Sequence, residues 1–193
     1  MPLLRLPDGR DLDVLVTGPD DGMPLLFHHG TPGALTPLPA LARAAHREGL
    51  RFVTYSRAGY GASARVEGRS VADVAADVAA VLDHLGADEC LTAGWSGGGP
   101  HALATAARLG SRVTAVLVIA GVGPADAPSL DFLAGMGDDN VEEFRAAMTS
   151  EAAVRTFLEA QAPALRSATP DELVSAMAWL TTGLLAAPPE TIT

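Results

Sequence analysis

Up to Gly123, short apolar runs alternate with Ala-rich stretches of helical spacing; after Pro124 only helical signals remain. Leu12 to Thr17 alternates apolar and polar residues and predicts an exposed or edge strand. Asp20-Asp21-Gly22 is a turn, and Pro24 to His28 is a short buried strand whose exit reaches Gly30. Thr36-Pro37 offers an N-cap with Pro at the first helical position, opening a helix to about Glu48. Arg51 to Tyr55 predicts a further strand. Ser70 and Asp73 have the spacing of a capping box. The helix they open carries Val71, Val74, Val78, Val81, Leu82 and Leu85 on one face. Cys90 to Trp95 reads as a strand, Pro100 to Leu109 as a helix, and the unbroken apolar run Val113 to Ala120 as a strand buried on both faces. Strands alternating with helices predict right-handed βαβ units and a mostly parallel α/β sheet flanked by helices.

The change of pattern divides the chain into 1–124, an α/β core, and 125–193, a helical segment. Charge divides with it: residues 1–125 hold 12 acids against 10 Arg, residues 126–193 hold 11 acids against 3 Arg. In the second part Asn140 with Glu143, or Asp139 with Glu142, caps one helix. A second helix runs from Ser150 to about Ala160, before Pro163. Thr169-Pro170-Asp171-Glu172 opens a third, with Leu173, Met177, Leu180 and Leu184 on one face. The acids at Asp138, Asp139, Glu142 and Glu143 lack the spacing of a calcium loop, and helix capping explains them better.

Composition narrows the chemistry. With 193 residues, 48% of them hydrophobic, the chain can bury a sizeable core. All 13 basic residues are Arg, which excludes lysine chemistry, and a net charge of -10 repels phosphate backbones, so no nucleic-acid partner is expected. The single cysteine, Cys90, excludes a disulfide framework and a Cys-based zinc site. The N-terminus has no basic stretch followed by an apolar run, and Val113 to Val122 is about half of the roughly 20 residues a membrane span needs. These features predict a soluble, cytoplasmic protein.

The strongest chemical signal is Gly94-Trp95-Ser96-Gly97-Gly98, a G-x-S-x-G between a predicted strand and a predicted helix. A nucleophile on a sharp strand-to-helix turn needs small neighbours, and the turn presents the hydroxyl near a helix N-terminus, where developing negative charge is favoured. The second signal is His29-Gly30-Thr31-Pro32-Gly33, directly after an earlier strand. Its two glycines and proline fix a tight loop with the Thr31 amide turned outward; with the Gly97 amide this would form an oxyanion hole. The third, Ser56-Arg57-Ala58-Gly59-Tyr60-Gly61-Ala62-Ser63, offers no direct chemistry and predicts a turn.

In this order the three segments resemble the α/β-hydrolase family, most of all its HG-x-PG branch, which includes proline iminopeptidase-like enzymes. The resemblance covers residues 10 to 125, and Asp126 to Thr193 is similar to the start of the helical cap that follows the sixth strand. It implies a nucleophile at Ser96, oxyanion amides at Thr31 and Gly97, and a pocket beneath the cap. The implied reaction is cleavage of an ester, amide or similar bond of a small-molecule substrate, with no cofactor and no metal implied. A Ser nucleophile argues against the haloalkane dehalogenase and epoxide hydrolase branches, which use Asp.

Two departures stand out. Ser56 occupies a position where the family pattern has Asp, which bears on a local turn contact. More important, the family order is Ser, then acid, then His, and no His follows His101. Of the five, His101 should point along its helix, His29 should shape its loop, His28 should pack at a strand end, and His46 and His84 should lie away from the site. Asp126 and Asp131 read as solvated acids. The expectation is a chain truncated within the cap, lacking the strands that bring acid and base, and inactive or weak alone. The alternative is a non-catalytic fragment or a module binding a small ligand or partner. The Val113–Ala120 strand would then lie at a sheet edge and pair with the chain's own C-terminal fragment or with a second copy.

Overall fold

The computed structural model describes residues 3–169, 171 and 172. The chain separates into two compact units, Met1–Leu130 and Asp131–Thr193, six residues beyond the division expected at 124. The first unit holds six strands, β1 (Leu3–Arg5), β2 (Asp11–Thr17), β3 (Pro24–His28), β4 (Arg51–Tyr55), β5 (Cys90–Trp95) and β6 (Val113–Ile119), with helices α1 (Pro39–Arg47), α2 (Val74–Leu85) and α3 (Gly99–Leu109). The sheet order is β1-β2-β4-β3-β5-β6. β4, β3, β5 and β6 run parallel, while β1 and β2 pair antiparallel. This is the α/β-hydrolase fold expected from the sequence.

Strand alternation sorts the core onto two faces. Leu26 of β3, Val53 and Tyr55 of β4 and Cys90 of β5 pack with Val74, Val78, Val81 and Leu82 of α2. Phe27, Phe52 and Ala93, one residue out of phase on the same strands, pack with Ala42 and Ala45 of α1. Asp77, on the inner side of α2, is buried because Arg10 reaches it at 2.6 Å. The Cys90 thiol lies in the core, and burial pushes it up to about 11, so it stays protonated.

Several expectations are corrected. β1, only three residues long, pairs Leu3 with Asp13 and Leu4 with Leu12, so β2 is internal and Leu12 is fully buried. α1 begins at Pro39, not at Pro37, after Leu38 in the left-handed region (φ 44°). Thr36 and Leu38 both precede prolines, which disfavours the α region at both and moves the helix start along. Val71 falls in a short 3₁₀ turn before α2 and is exposed. The Asp73 carboxylate does accept from the Ser70 amide at 2.6 Å.

β6 departs furthest from its expected burial. Among the described residues it is the sheet edge opposite β1, and Val116, Leu117, Val118 and Ile119 are 37 to 57% exposed instead of buried on both faces. Among the described residues no helix is long and apolar enough to cross a membrane.

The second unit contains α4 (Asp138–Thr149) and α5 (Glu151–Ser167). Gly137 precedes α4, so Asn140 and Asp139, expected as caps, both lie inside the helix, with Asp138 and Asp139 in its first turn. There their charge complements the helix dipole. Ser150 caps α5 as expected, its hydroxyl accepting from the Ala153 amide at 3.1 Å. Pro163 does not end this helix, which continues to Ser167 through strong helix formers on either side. Thr169 and Glu172 exchange capping bonds of 2.7 and 3.3 Å. The apolar face expected at residues 173–184 lies outside the described residues.

Candidate active site

β3 and β5 are neighbours in parallel register, His28 beside Gly94. The segments that leave their C-terminal ends therefore emerge side by side, at the edge where open α/β sheets bind ligands. From β5 the chain turns at once into a 3₁₀ turn, Ser96–Gly98, and then α3. Ser96 takes φ 52°, one of three non-glycine residues with positive φ among the described residues. A left-handed serine is strained by about 1–2 kcal/mol, and such strain gathers at functional sites.

The glycines around it are set by close approach. A Cβ at Gly94 would overlap the Gly98 carbonyl oxygen, and one at Gly98 would overlap the His28 carbonyl and lie 2.7 Å from that of His29. The elbow is thus folded against itself and against the end of β3. Gly98→Ala is expected to destabilise the first unit by about 3 kcal/mol, because both clashing partners are backbone. A urea midpoint equal to that of the unaltered chain would contradict this packing.

The loop after β3 meets the elbow. A Cβ at Gly97 would lie 2.7 Å from Thr31 Oγ1 and 3.4 Å from the Thr31 nitrogen. One at Gly30 would lie 3.1 Å from the Trp95 ring and 3.4 Å from Ser96 Cβ, and one at Gly33 would crowd His29 Nδ1 at 3.0 Å. Ser96, Thr31 and Gly97 are therefore brought together. A cavity of about 160 Å³ borders this loop, lined by Phe27, Pro32, Leu38, Thr54 and Trp95 among others. Thr54 Oγ1 is buried without a hydrogen-bond partner among the described residues.

None of the five histidines hydrogen-bonds Ser96. His29 lies 2.8 Å from the Gly30 carbonyl through Nδ1 and accepts the Arg57 amide on Nε2 at 3.1 Å, so it is neutral with both nitrogens engaged. Both bonds stay within the loop and its Arg57 neighbour. His101 places Nδ1 2.8 Å from the Gly97 carbonyl. A carbonyl only accepts, so Nδ1 carries the proton, and Nε2 is buried without a partner among the described residues. Burial, reinforced by the Arg57 charge, lowers both His29 and His101 to about 4. A general base works best with a pKa near the operating pH, and neither ring has one. His28, fully buried at the end of β3, binds Tyr55 Oη at 2.8 Å and Thr92 Oγ1 at 2.9 Å. His46, on α1, binds Thr17, and His84 lies on α2. Asp126 and Asp131 are exposed, as read from the sequence.

The depressed histidines predict a pH dependence. The unfolded chain takes up protons as pH falls through 6.5, whereas the folded chain does so only near 4. Stability is therefore complete above pH 6.5 and declines toward pH 4, by up to about 1.4 kcal/mol per pH unit for each ring. A denaturant midpoint that stays constant from pH 7 to 5 would contradict this.

The segment read as a turn without direct chemistry holds a residue the sequence reading missed. Arg57 is 1% exposed. Its guanidinium donates to the His29 carbonyl, to the Gly30 carbonyl at 3.2 Å and to Thr31 Oγ1 at 3.1 Å. No sequence signal marked it, because its partners lie on another loop. Beside it, Ser56 donates to Asp13 Oδ2 at 3.0 Å and accepts the Leu35 amide at 2.8 Å, so the carboxylate at this turn is supplied by β2.

A family profile described as "alpha/beta hydrolase fold" matches residues 23–160. The chain is 33% identical over 125 residues to a non-heme haloperoxidase of Rhodococcus erythropolis, covering 64% of this chain and 45% of that protein. It is 34% identical over 119 residues to a bifunctional esterase/perhydrolase of Acinetobacter calcoaceticus, covering 61% and 43%. Among solved structures, an alpha/beta hydrolase fold protein from Nakamurella multipartita aligns with a TM-score of 0.56 at 30% identity, over 77% of this chain and 52% of that one. The chain spans about half the length of the curated relatives it matches.

Proposed function

The chain belongs to the alpha/beta hydrolase fold family, and on that premise we propose that it carries the nucleophile and the oxyanion hole of a serine hydrolase. The observation that carries this reading is Ser96 itself, held at positive φ on a strand-to-helix turn beside the Thr31 and Gly97 amides. Ser96 Oγ attacks a substrate carbonyl, and its proton passes to a base. The carbonyl oxygen becomes an oxyanion that accepts from the Thr31 and Gly97 N–H groups. The intermediate collapses to an acyl-serine as the leaving alcohol or amine takes the proton, and water then releases the acid. No described histidine hydrogen-bonds Ser96, so on this reading the base is not among the described histidines. The relative named as an esterase/perhydrolase supports an ester as the bond cleaved, while the His29-Gly30-Thr31-Pro32-Gly33 loop keeps the proline iminopeptidase-like branch in play. The small cavity beside Gly30 and Trp95 suits a short acyl group. The lone buried thiol suits a reducing cytoplasm.

The test is labelling of the full-length protein with a fluorophosphonate, located by peptide mass. Label on Ser96 supports the reading, and label elsewhere overturns it. A second reading has one observation in its favour, that no histidine reaches Ser96: a non-catalytic module that holds a small ligand or a partner. It predicts no label at all.

A further inference from the structure

We propose that Arg57 is the positioning residue of the oxyanion hole: it grips the 29–31 backbone so that the Thr31 amide stays turned toward the oxygen it must hold. The proposal rests on the reading of Ser96 and Thr31 given above. Three acceptors on three successive residues, the carbonyls of His29 and Gly30 and the hydroxyl of Thr31, all fall to one guanidinium. The decisive one is Gly30. Its carbonyl and the Thr31 N–H belong to a single planar trans peptide and point in opposite directions. Anchoring the carbonyl on Arg57 therefore aims the amide away from Arg57, the orientation an oxyanion donor needs. The Arg57 backbone N–H closes the grip by donating to His29 Nε2 at 3.1 Å. The Tyr60 ring packs 5.4 Å from the guanidinium carbon and edge-on to His29 at 5.2 Å.

The cation is an unusual choice for a merely structural role. Among the described residues no carboxylate forms a salt bridge with Arg57, although its side chain is buried. Burying a charge without a counter-ion is costly, and a neutral donor would satisfy two carbonyls more cheaply. What arginine adds is a rigid planar fork that fixes several acceptors together.

Three variants test this: Arg57→Met, which loses fork and charge; Arg57→Lys, which keeps the charge; and Thr31→Val, which removes one acceptor and spares the buried cation. Two quantities are read on each in the full-length protein: the fluorophosphonate labelling constants of Ser96, separated into binding and first-order steps, and the ¹⁵N order parameter of the Thr31 amide. For Arg57→Met the first-order step falls on the order of 10- to 100-fold with unchanged probe binding, less than outright loss of a donor. The Thr31 order parameter drops from about 0.85 to below about 0.6. Arg57→Lys recovers part of both. If Arg57→Met does not fold, Arg57→Lys and Thr31→Val show smaller changes in the same direction. Labelling and amide order must move together: either changing alone, or a loss in probe binding only, overturns the proposal. If Ser96 takes no label in any form, the nucleophile reading falls. The amide order then decides alone, a rigid Thr31 without the arginine fork overturning the grip.

Discussion

Ser96→Ala abolishes fluorophosphonate labelling of the full-length protein, and Ser96→Gly does the same while raising stability by about 1 kcal/mol. The two replacements share one chemical loss and differ in one physical respect. Alanine keeps a Cβ at a backbone held at φ 52°, so the strain remains. Glycine removes it, and at this angle a residue without Cβ is relieved of about 1–2 kcal/mol, partly offset by the greater freedom of the unfolded chain. A nucleophile held at a cost in stability should show this pairing of lost chemistry with gained stability. Label persisting in either variant would remove Ser96 from the nucleophile's role. Equal urea midpoints for the two would show that the turn stores no strain.

Thr31→Pro is expected to slow labelling by about 10²–10³-fold, the usual cost of deleting one oxyanion donor, without lowering the affinity for the probe. Proline removes the N–H and leaves the carbonyl in place. Thr31→Ala keeps the amide and gives up only the Oγ1 contact from Arg57, a net change of about 0.5–1.5 kcal/mol, on the order of tenfold at most. The gap between the two variants separates a main-chain role from a side-chain one. A proline variant that folds and labels at the normal rate would leave Thr31 outside the hole.

What the sequence made legible followed from where its apolar runs met glycine and proline. β3, β4 and β5 fall where the runs Pro24–His28, Arg51–Tyr55 and Cys90–Trp95 placed them, because each run is bounded by turn residues. The elbow was legible for the same reason: glycines at fixed offsets around one serine between a strand and a helix. β1 was not, since a strand of three residues carries no period. The start of α1 was masked by two prolines two residues apart, only one of which opens the helix. The exposure of β6 could not be read from its own residues, because burial of a strand depends on its neighbours. Arg57 escaped because nothing in Ser56-Arg57-Ala58-Gly59 states that the chain buries a charge there. Its partners are two backbone carbonyls and one hydroxyl on a distant loop, which leave no mark in a sequence.

The Asp13–Ser56 contact couples two positions distant in sequence. An Asp at 56 would set a second carboxylate where the serine hydroxyl now donates to Asp13 at 3.0 Å, in a turn so tight that a Cβ at Gly61 would lie 3.0 Å from Asp13 Oδ2. The order of steps therefore matters. A lineage that first replaces Asp13 with a neutral donor can accept the change at 56, whereas one that starts at 56 passes through two like charges in a buried turn. Each residue is permissive only for the other's present state, so exchange between this chain and a relative with the family pattern must move both positions as one unit.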